Sequence, residues 1–406
     1  MNTKWKQKFL TITLGQTISL IGSSAVQFSI IWWLASKSSS PAVLAFSGLV
    51  AFLPQLILGP FAGVWIDRLN RKWVVIGADM FMGLIAVVFA VVFWQMKEPP
   101  FWSACLVLGV RAVGDVFHTP AIQAIIPTLV PKEELMRANG WSQFMKSGAF
   151  MLGPVFGALL YSALPMHLIL ITDFIGALAA SLTMFCVHVP DIERTFDEKT
   201  NFLHELKEGG KIYLQDKKLL LIIAASTLCM CFFLPLSSYY PLMSSSYFKV
   251  SAFHGSVVEL LYAGGMMGVS ALIGLFGNIK RKFLMGYIGL LGMGITSFVC
   301  GILPGDDWAF WIFAIFCMLM GGCGNVFNIP IIAYMQETIP PEAMGRAFSL
   351  MGSVMSLAMP LGLLVSGPVA EKYGVEFWFL VTGVGVTVIA IAAMLLSAGL
   401  KEKKIS

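Results

Sequence analysis

Apolar residues run along this chain in long blocks, separated by short polar stretches. A helix that crosses a bilayer needs about 20 mostly apolar residues. Twelve blocks reach that length, at 9–36, 42–65, 73–95, 101–126, 138–163, 166–188, 218–244, 254–278, 283–303, 308–335, 346–370 and 375–399. The short connections predict antiparallel neighbours, and the even count predicts both termini on one side. The N-terminal run MNTKWKQKFLTITLG has the basic start of a signal peptide. Its apolar stretch continues to Ala35, beyond the roughly 7–15 residues of such a segment, and no small-residue cleavage site follows. It is expected to be a retained first span.

Composition narrows the class. Hydrophobic residues make up 57% of the 406 and charged residues 12%, half the share of about 25% in soluble domains. So few charges cannot cover a soluble surface. Net charge is +5 and the basic residues are spread over the loops, which argues against a nucleic-acid partner. The seven cysteines lie in apolar blocks without CxxC or zinc spacing, so they read as small core residues; no metal or cofactor is expected. No P-loop is present, so ATP does not power the chain, and no HExxH or GxSxG supports an enzyme.

Lys and Arg set the orientation. One set of loops holds Lys4, Lys6, Lys8, Arg68, Arg71, Lys72, Lys132, Arg137, Arg194, Lys199, Lys207, Lys211, Lys217, Lys218, Lys280, Arg281, Lys282, Arg346, Lys401, Lys403 and Lys404. The other set holds only Lys37, Lys97, Lys249 and Lys372. Both termini are therefore predicted to be cytoplasmic.

The one long loop, 189–217, divides the chain into a bundle at 1–188 and a bundle at 218–406. Phe202, Leu206 and Tyr213 recur in it near helical spacing, so it is either a helix on the inner membrane face or a charged linker. The halves are repeats. Gly114-Asp-Val-Phe-His-Thr-Pro120 matches Gly324-Asn-Val-Phe-Asn-Ile-Pro330, and the same register pairs Pro131 with Pro341 and Arg71-Lys72 with Arg281-Lys282. Six spans per half give both halves one topology, with an axis along the membrane normal and a substrate path between them near the midplane.

The sharpest chemistry is in the fourth block, where Arg111, Asp115 and His118 share a helical face. Each charge costs about 2.5–3.5 kcal/mol at the bilayer centre, so these groups must face protein or a cavity. One reading is a proton site, with Asp115 carrying the proton, Arg111 biasing its affinity and His118 relaying; the other is a structural ion pair. The second repeat has Gly321, Asn325 and Asn328 at these positions, so charge chemistry is concentrated in the first half. Asp173 and Glu259 are further proton-site candidates, and Asp79 reads as structural. Lys146 is either a counter-ion or snorkels to the inner interface. Gln16, Ser19, Ser23, Ser24 and Gln27 in the first block bind substrate or neighbouring helices. Tyr239 and Tyr240 belong either to a substrate wall or to the interfacial belt.

The run Gly63-Val-Trp-Ile-Asp67-Arg68-Leu-Asn-Arg71-Lys72 resembles the G-x-L-x-D-R-x-G-R-K signature of the major facilitator superfamily, with Trp65 and Asn70 as departures. The resemblance implies a twelve-helix transporter and a conformational latch formed by Gly63, Asp67, Arg68, Arg71 and Lys72. Gly153-Pro154-Val-Phe-Gly157-Ala158 is similar to the antiporter signature G-P-x-x-G-G, with Ala158 in the final place. Arg111 matches the arginine of the family's fourth-span signature. The runs FLPQLILGPFAGVWIDR, FHTPAIQAIIPTLVP, FGNIKRK and GRAFSLMGSVMSLAMPLGL resemble the macrolide-efflux branch of that superfamily.

What the resemblance implies is proton-coupled export of amphipathic compounds from the plasma membrane of a bacterium, by a monomer. Gln16, Gln27, Asn325, Asn328 and Tyr239 are the expected substrate contacts. Two other readings stand beside it: export of an endogenous siderophore, lipid or metabolite, and a membrane sensor on the same fold.

Overall fold

The computed structural model describes residues 4–37, 41–96, 99–190, 210–250, 252–277 and 279–400. Among the described residues the backbone is helical apart from short connections, and no strand forms. We number the long helices α1 (Lys4–Lys37), α2 (Pro41–Arg68), α3 (Arg71–Gln95), α4 (Phe101–Leu129), α5 (Leu135–Ala163), α6 (Met166–Cys186), α7 (Lys217–Phe233), α8 (Ala252–Phe276), α9 (Lys282–Ile302), α10 (Asp307–Thr338), α11 (Met344–Tyr373) and α12 (Val375–Ala398). Past Pro235, α7 is continued by a short helix, Leu236–Leu242, and a π-helical turn, Met243–Tyr247. Among the described residues ten helices are long and apolar enough to cross a membrane. With α2 and the interrupted α7 they make the twelve spans that the apolar blocks predict.

Local chemistry sets the breaks. Asn70 caps α3 by accepting from the backbone N–H of Lys72 at 3.0 Å, and Asp216 caps α7 by accepting from Lys218 and Leu219 at 3.1 Å. Gly374 alone separates α11 from α12 at φ 95°, a backbone that side chains rarely adopt. Three-residue 3₁₀ turns, Lys132–Glu134 and Pro341–Ala343, precede α5 and α11, so the sequence repeat extends to the connections. In the long loop, residues 191–209, with Phe202 and Leu206, lie outside the described residues; 210–215 are helical and Tyr213 is buried.

The chain forms two compact units, each discontinuous in sequence. The first comprises Met1–Lys132, Gly148–Gly210 and Ile339–Ser353. In it α3 packs on α6 and α4, α2 on α4, and α1 on α6. Two apolar layers fill its interior. One is built from Val26, Ile30, Phe89, Leu108, Ile169 and Leu170, the other from Ile12, Ile66, Val75, Val116, Ile125 and Met184.

The second unit comprises Glu133–Ser147, Lys211–Thr338 and Val354–Ser406. There α9 packs on α12 and α10, α8 on α10, and α7 on α12. Small residues let the backbones approach: a Cβ on Gly289 would stand 2.5 Å from the Phe327 nitrogen, and one on Gly140 would stand 2.6 Å from the Gly274 nitrogen. Tyr240 sits among Tyr262, Phe313 and Phe379, with ring centroids 5.9, 6.3 and 5.7 Å away.

Candidate transport and coupling site

The polar groups of the first unit fall between its two apolar layers. Ile12, Val75 and Val116 belong to one layer and Val26, Leu108 and Leu170 to the other. Gln16, Ser23, Asp79, Arg111 and Asp173 follow or precede these residues by about one helical turn. Helical periodicity therefore places one polar stratum inside the bundle, and its members come from α1, α3, α4 and α6.

That stratum has two parts. In the first, Arg111 forms an ion pair with Asp173, both nearly fully buried, and also donates to the Ser23 carbonyl at 3.3 Å. The Ser23 hydroxyl donates to the other oxygen of Asp173 at 2.8 Å. In the second, Gln16 Nε2 donates to Asp79 Oδ2 at 3.0 Å, and Gln16 Oε1 lies 2.9 Å from His118 Nε2. His118 Nε2 is also 3.3 Å from Asp79 Oδ1. A carboxylate only accepts, so the amide must turn its nitrogen to Asp79 and its oxygen to His118. The proton of neutral His118 is thereby fixed on Nε2.

The sequence-derived candidates separate accordingly. Arg111 and His118, on one face of α4, are drawn to different acids on α6 and α3. Asp115 is exposed between them, within electrostatic reach of His118, Arg111 and Asp79. Gln16 is committed to the Asp79 cluster, and Gln27 is exposed. Asp79, which the sequence presents as a structural acid, is 2% exposed and at the centre of the second part. Its contacts are invisible in α3 alone, because its partners are 63 and 39 positions away in sequence; only the shared depth in the bundle, readable from the periodicity, points to them.

In the second unit, Asn325 donates to the Met266 carbonyl at 3.0 Å and to Ser270 Oγ at 2.8 Å, tying α10 to α8. Asn328 is half-buried, Glu259 is exposed two turns into α8, and Lys146 is exposed. Tyr239 is buried and donates to Ser366 Oγ at 2.8 Å. An Asn139–Gln336 hydrogen bond of 2.5 Å, which no sequence motif announces, holds the start of α5 to α10.

Of the residues expected to form a latch, Gly63, Asp67 and Arg71 meet the start of α11. Asp67 Oδ1 accepts from Arg71 at 2.9 Å and from the Gly345 N–H at 2.8 Å, and Oδ2 accepts from the Arg346 N–H at 3.0 Å and its Nε at 3.1 Å. Arg71 further donates to the carbonyls of Ala124 and Pro341. Gly63 makes the approach possible, since a Cβ there would stand 2.6 Å from Arg346 Cα. Lys72 turns elsewhere and donates to the Phe185 and Val187 carbonyls at the C-terminus of α6, both at 2.9 Å. Arg68 is exposed. On α5, a Cβ on Gly153 would stand 2.4 Å from Ser24 Cβ and one on Gly157 would stand 2.7 Å from the Ala25 carbonyl, with Pro154 exposed between them. This antiporter-like segment is thus the place where α5 meets α1.

The sequence matches the family described as the Major Facilitator Superfamily over residues 12–363, with a second match over 279–404. The chain belongs to the major facilitator superfamily. Macrolide efflux protein A of Streptococcus pyogenes is 39% identical over 394 residues, covering 97% of this chain and 96% of that protein. Macrolide efflux protein A of Enterococcus faecalis is 38% identical over 325 residues, covering 80% and 99%. The E. coli fucose:proton symporter shares the fold, with a TM-score of 0.74 at 14% identity over 96% of this chain and 98% of that one. The chain is therefore a multi-pass transporter with the major facilitator fold, in its macrolide-efflux branch.

Proposed function

We propose that the chain is a secondary exporter that expels amphipathic, macrolide-like molecules across a bacterial plasma membrane in exchange for protons. The observation that carries this reading is the 39% identity to Macrolide efflux protein A along nearly the whole chain. The polar stratum of the first unit supports the coupling part. It encloses acids and a histidine in apolar surroundings, with Asp115 exposed beside them. In this reading Asp115, with Arg111 and His118, links proton movement to α4.

Transport proceeds by alternating access of two bundles, 1–188 and 218–406, joined through 189–217. The basic loops put both termini in the cytoplasm. The Asp67 contacts to Gly345 and Arg346 are made in one access state and released in the other, and a single chain suffices. Purified protein in proteoliposomes, given an inward-acid gradient, tests this. Radiolabelled macrolide should accumulate in vesicles of inside-out orientation and leak out once the gradient is collapsed. Absence of gradient-dependent accumulation sinks the proton reading, and absence of any macrolide flux sinks the substrate reading.

A further inference from the structure

We propose that the exchanged proton is held by Asp79 and His118, bridged by Gln16. This deepens the antiport reading above and rests on it.

The two buried acids of the first unit have partners of different kinds. Asp173 faces an arginine, which stays charged at any physiological pH. In the structure that pair is electrically neutral. Asp79 faces a histidine, the side chain whose charge changes in the physiological range. Its site carries a net charge of −1 with neutral imidazole and zero with imidazolium. A proton is what balances the buried charge.

The geometry tells where the proton goes. His118 Nε2 already carries a hydrogen, directed at Gln16 Oε1 2.9 Å away and near Asp79 Oδ1 at 3.3 Å. An arriving proton adds at Nδ1. One N–H bond forms on loading and the same bond breaks on release, with water on either side as source and sink. Both hydrogen bonds of Gln16 survive in both states, so loading changes charge while the three helices α1, α3 and α4 stay tied. Access is graded along α4: the His118 side chain is 18% exposed against 3% for Asp79, and Asp115, three residues before His118 on the same face, is exposed. A proton reaches His118, and so the site of the buried acid, through that face.

The helices packed on α3 carry other charged groups. From α4 come Arg111, Asp115 and His118, and from α6 comes Asp173, already paired. From α2 comes Asp67, satisfied by Arg71 and Arg346. The nearby polar side chains of α1, Gln16 and Ser23, are neutral.

The test uses the full chain in proteoliposomes with radiolabelled macrolide, read in two modes: accumulation under a pH gradient, and exchange between equal pools without one. Asp79→Asn and His118→Gln should each lose at least tenfold in gradient-driven accumulation and keep exchange within about twofold, while Asp79→Glu should recover the gradient response. Exchange also reports folding, and either variant suffices if the other fails to express. Gradient response at the wild-type level in Asp79→Asn or His118→Gln would overturn the assignment while leaving proton antiport intact. A wild-type protein that ignores the gradient would overturn antiport itself.

Discussion

The carboxylate of Asp67 accepts the backbone N–H of Gly345 at 2.8 Å, and a Cβ on Gly345 would stand 2.6 Å from that oxygen and 3.0 Å from the Gly63 carbonyl. The acid, the two glycines and the N-terminal turn of α11 form one closely fitted contact, in which a carboxylate receives backbone donors that a helix start leaves unsatisfied.

Asp67→Asn and Gly345→Ala should therefore weaken this contact by different routes. The first removes the charge that Arg71 and Arg346 share, where breaking a buried pair costs about 3–5 kcal/mol. The second forces α2 and α11 apart. Cysteine labelling at positions around this contact should become faster in both variants. Unchanged labelling would show that the contact contributes nothing to closure.

Arg111 and Asp173 invite a double-substitution test. Asp173→Asn leaves a buried guanidinium without its counter-charge, a change of about 3–5 kcal/mol. An apolar pair of similar volume, Arg111→Met with Asp173→Leu, removes both charges and their desolvation together. In detergent the double variant should melt above the Asp173→Asn single variant. If the single and double variants melt alike, the pair is not an independent structural unit.

The twelve spans were legible because burial in lipid demands uninterrupted apolar length, a signal that needs no partner residue. The acidic side of the α2–α11 contact was legible through the signature spacing around Asp67, yet its donor side was not: Arg346 read only as one basic residue among many, because a helix N-terminus 279 positions from Asp67 leaves no local trace. The charged stratum was half legible. Arg111, Asp115 and His118 stood out by sharing a face of α4, and the cost of burying them pointed inward. Which acid each would meet depended on neighbours from α3 and α6, and the sequence holds no term for that choice. Gln16 shows the same limit, since an amide in an apolar helix has the same sequence signature whether it meets substrate or a carboxylate.

Asn325 offers a contrast between binding and bracing. Both of its amide hydrogens are spent on α8, one on the Met266 carbonyl and one on Ser270. Asn325→Ala should lower thermal stability by roughly 0.6–2 kcal/mol, the range of interhelical hydrogen bonds in membranes. The KM for macrolide should shift by less than about twofold. A large rise in KM at unchanged stability would place this amide on the substrate instead.

The adjacent glycines Gly264 and Gly265 in α8 separate backbone contact from mere smallness. A Cβ on Gly265 would stand 1.8 Å from the Met318 carbonyl oxygen, whereas one on Gly264 would meet nothing within 4 Å. The obstacle at Gly265 is backbone, which no rotamer change can clear, so α8 and α10 must separate along a crossing that also buries Gly321 against the Tyr262 carbonyl. Overpacking of this kind costs about 1–3 kcal/mol. Gly265→Ala should lower the melting temperature and the yield of folded protein. Gly264→Ala should match or slightly exceed wild type, since alanine favours the helix by about 1 kcal/mol over glycine. Equal stability of the two variants would mean that α8 and α10 do not approach as closely as the glycine at 265 allows.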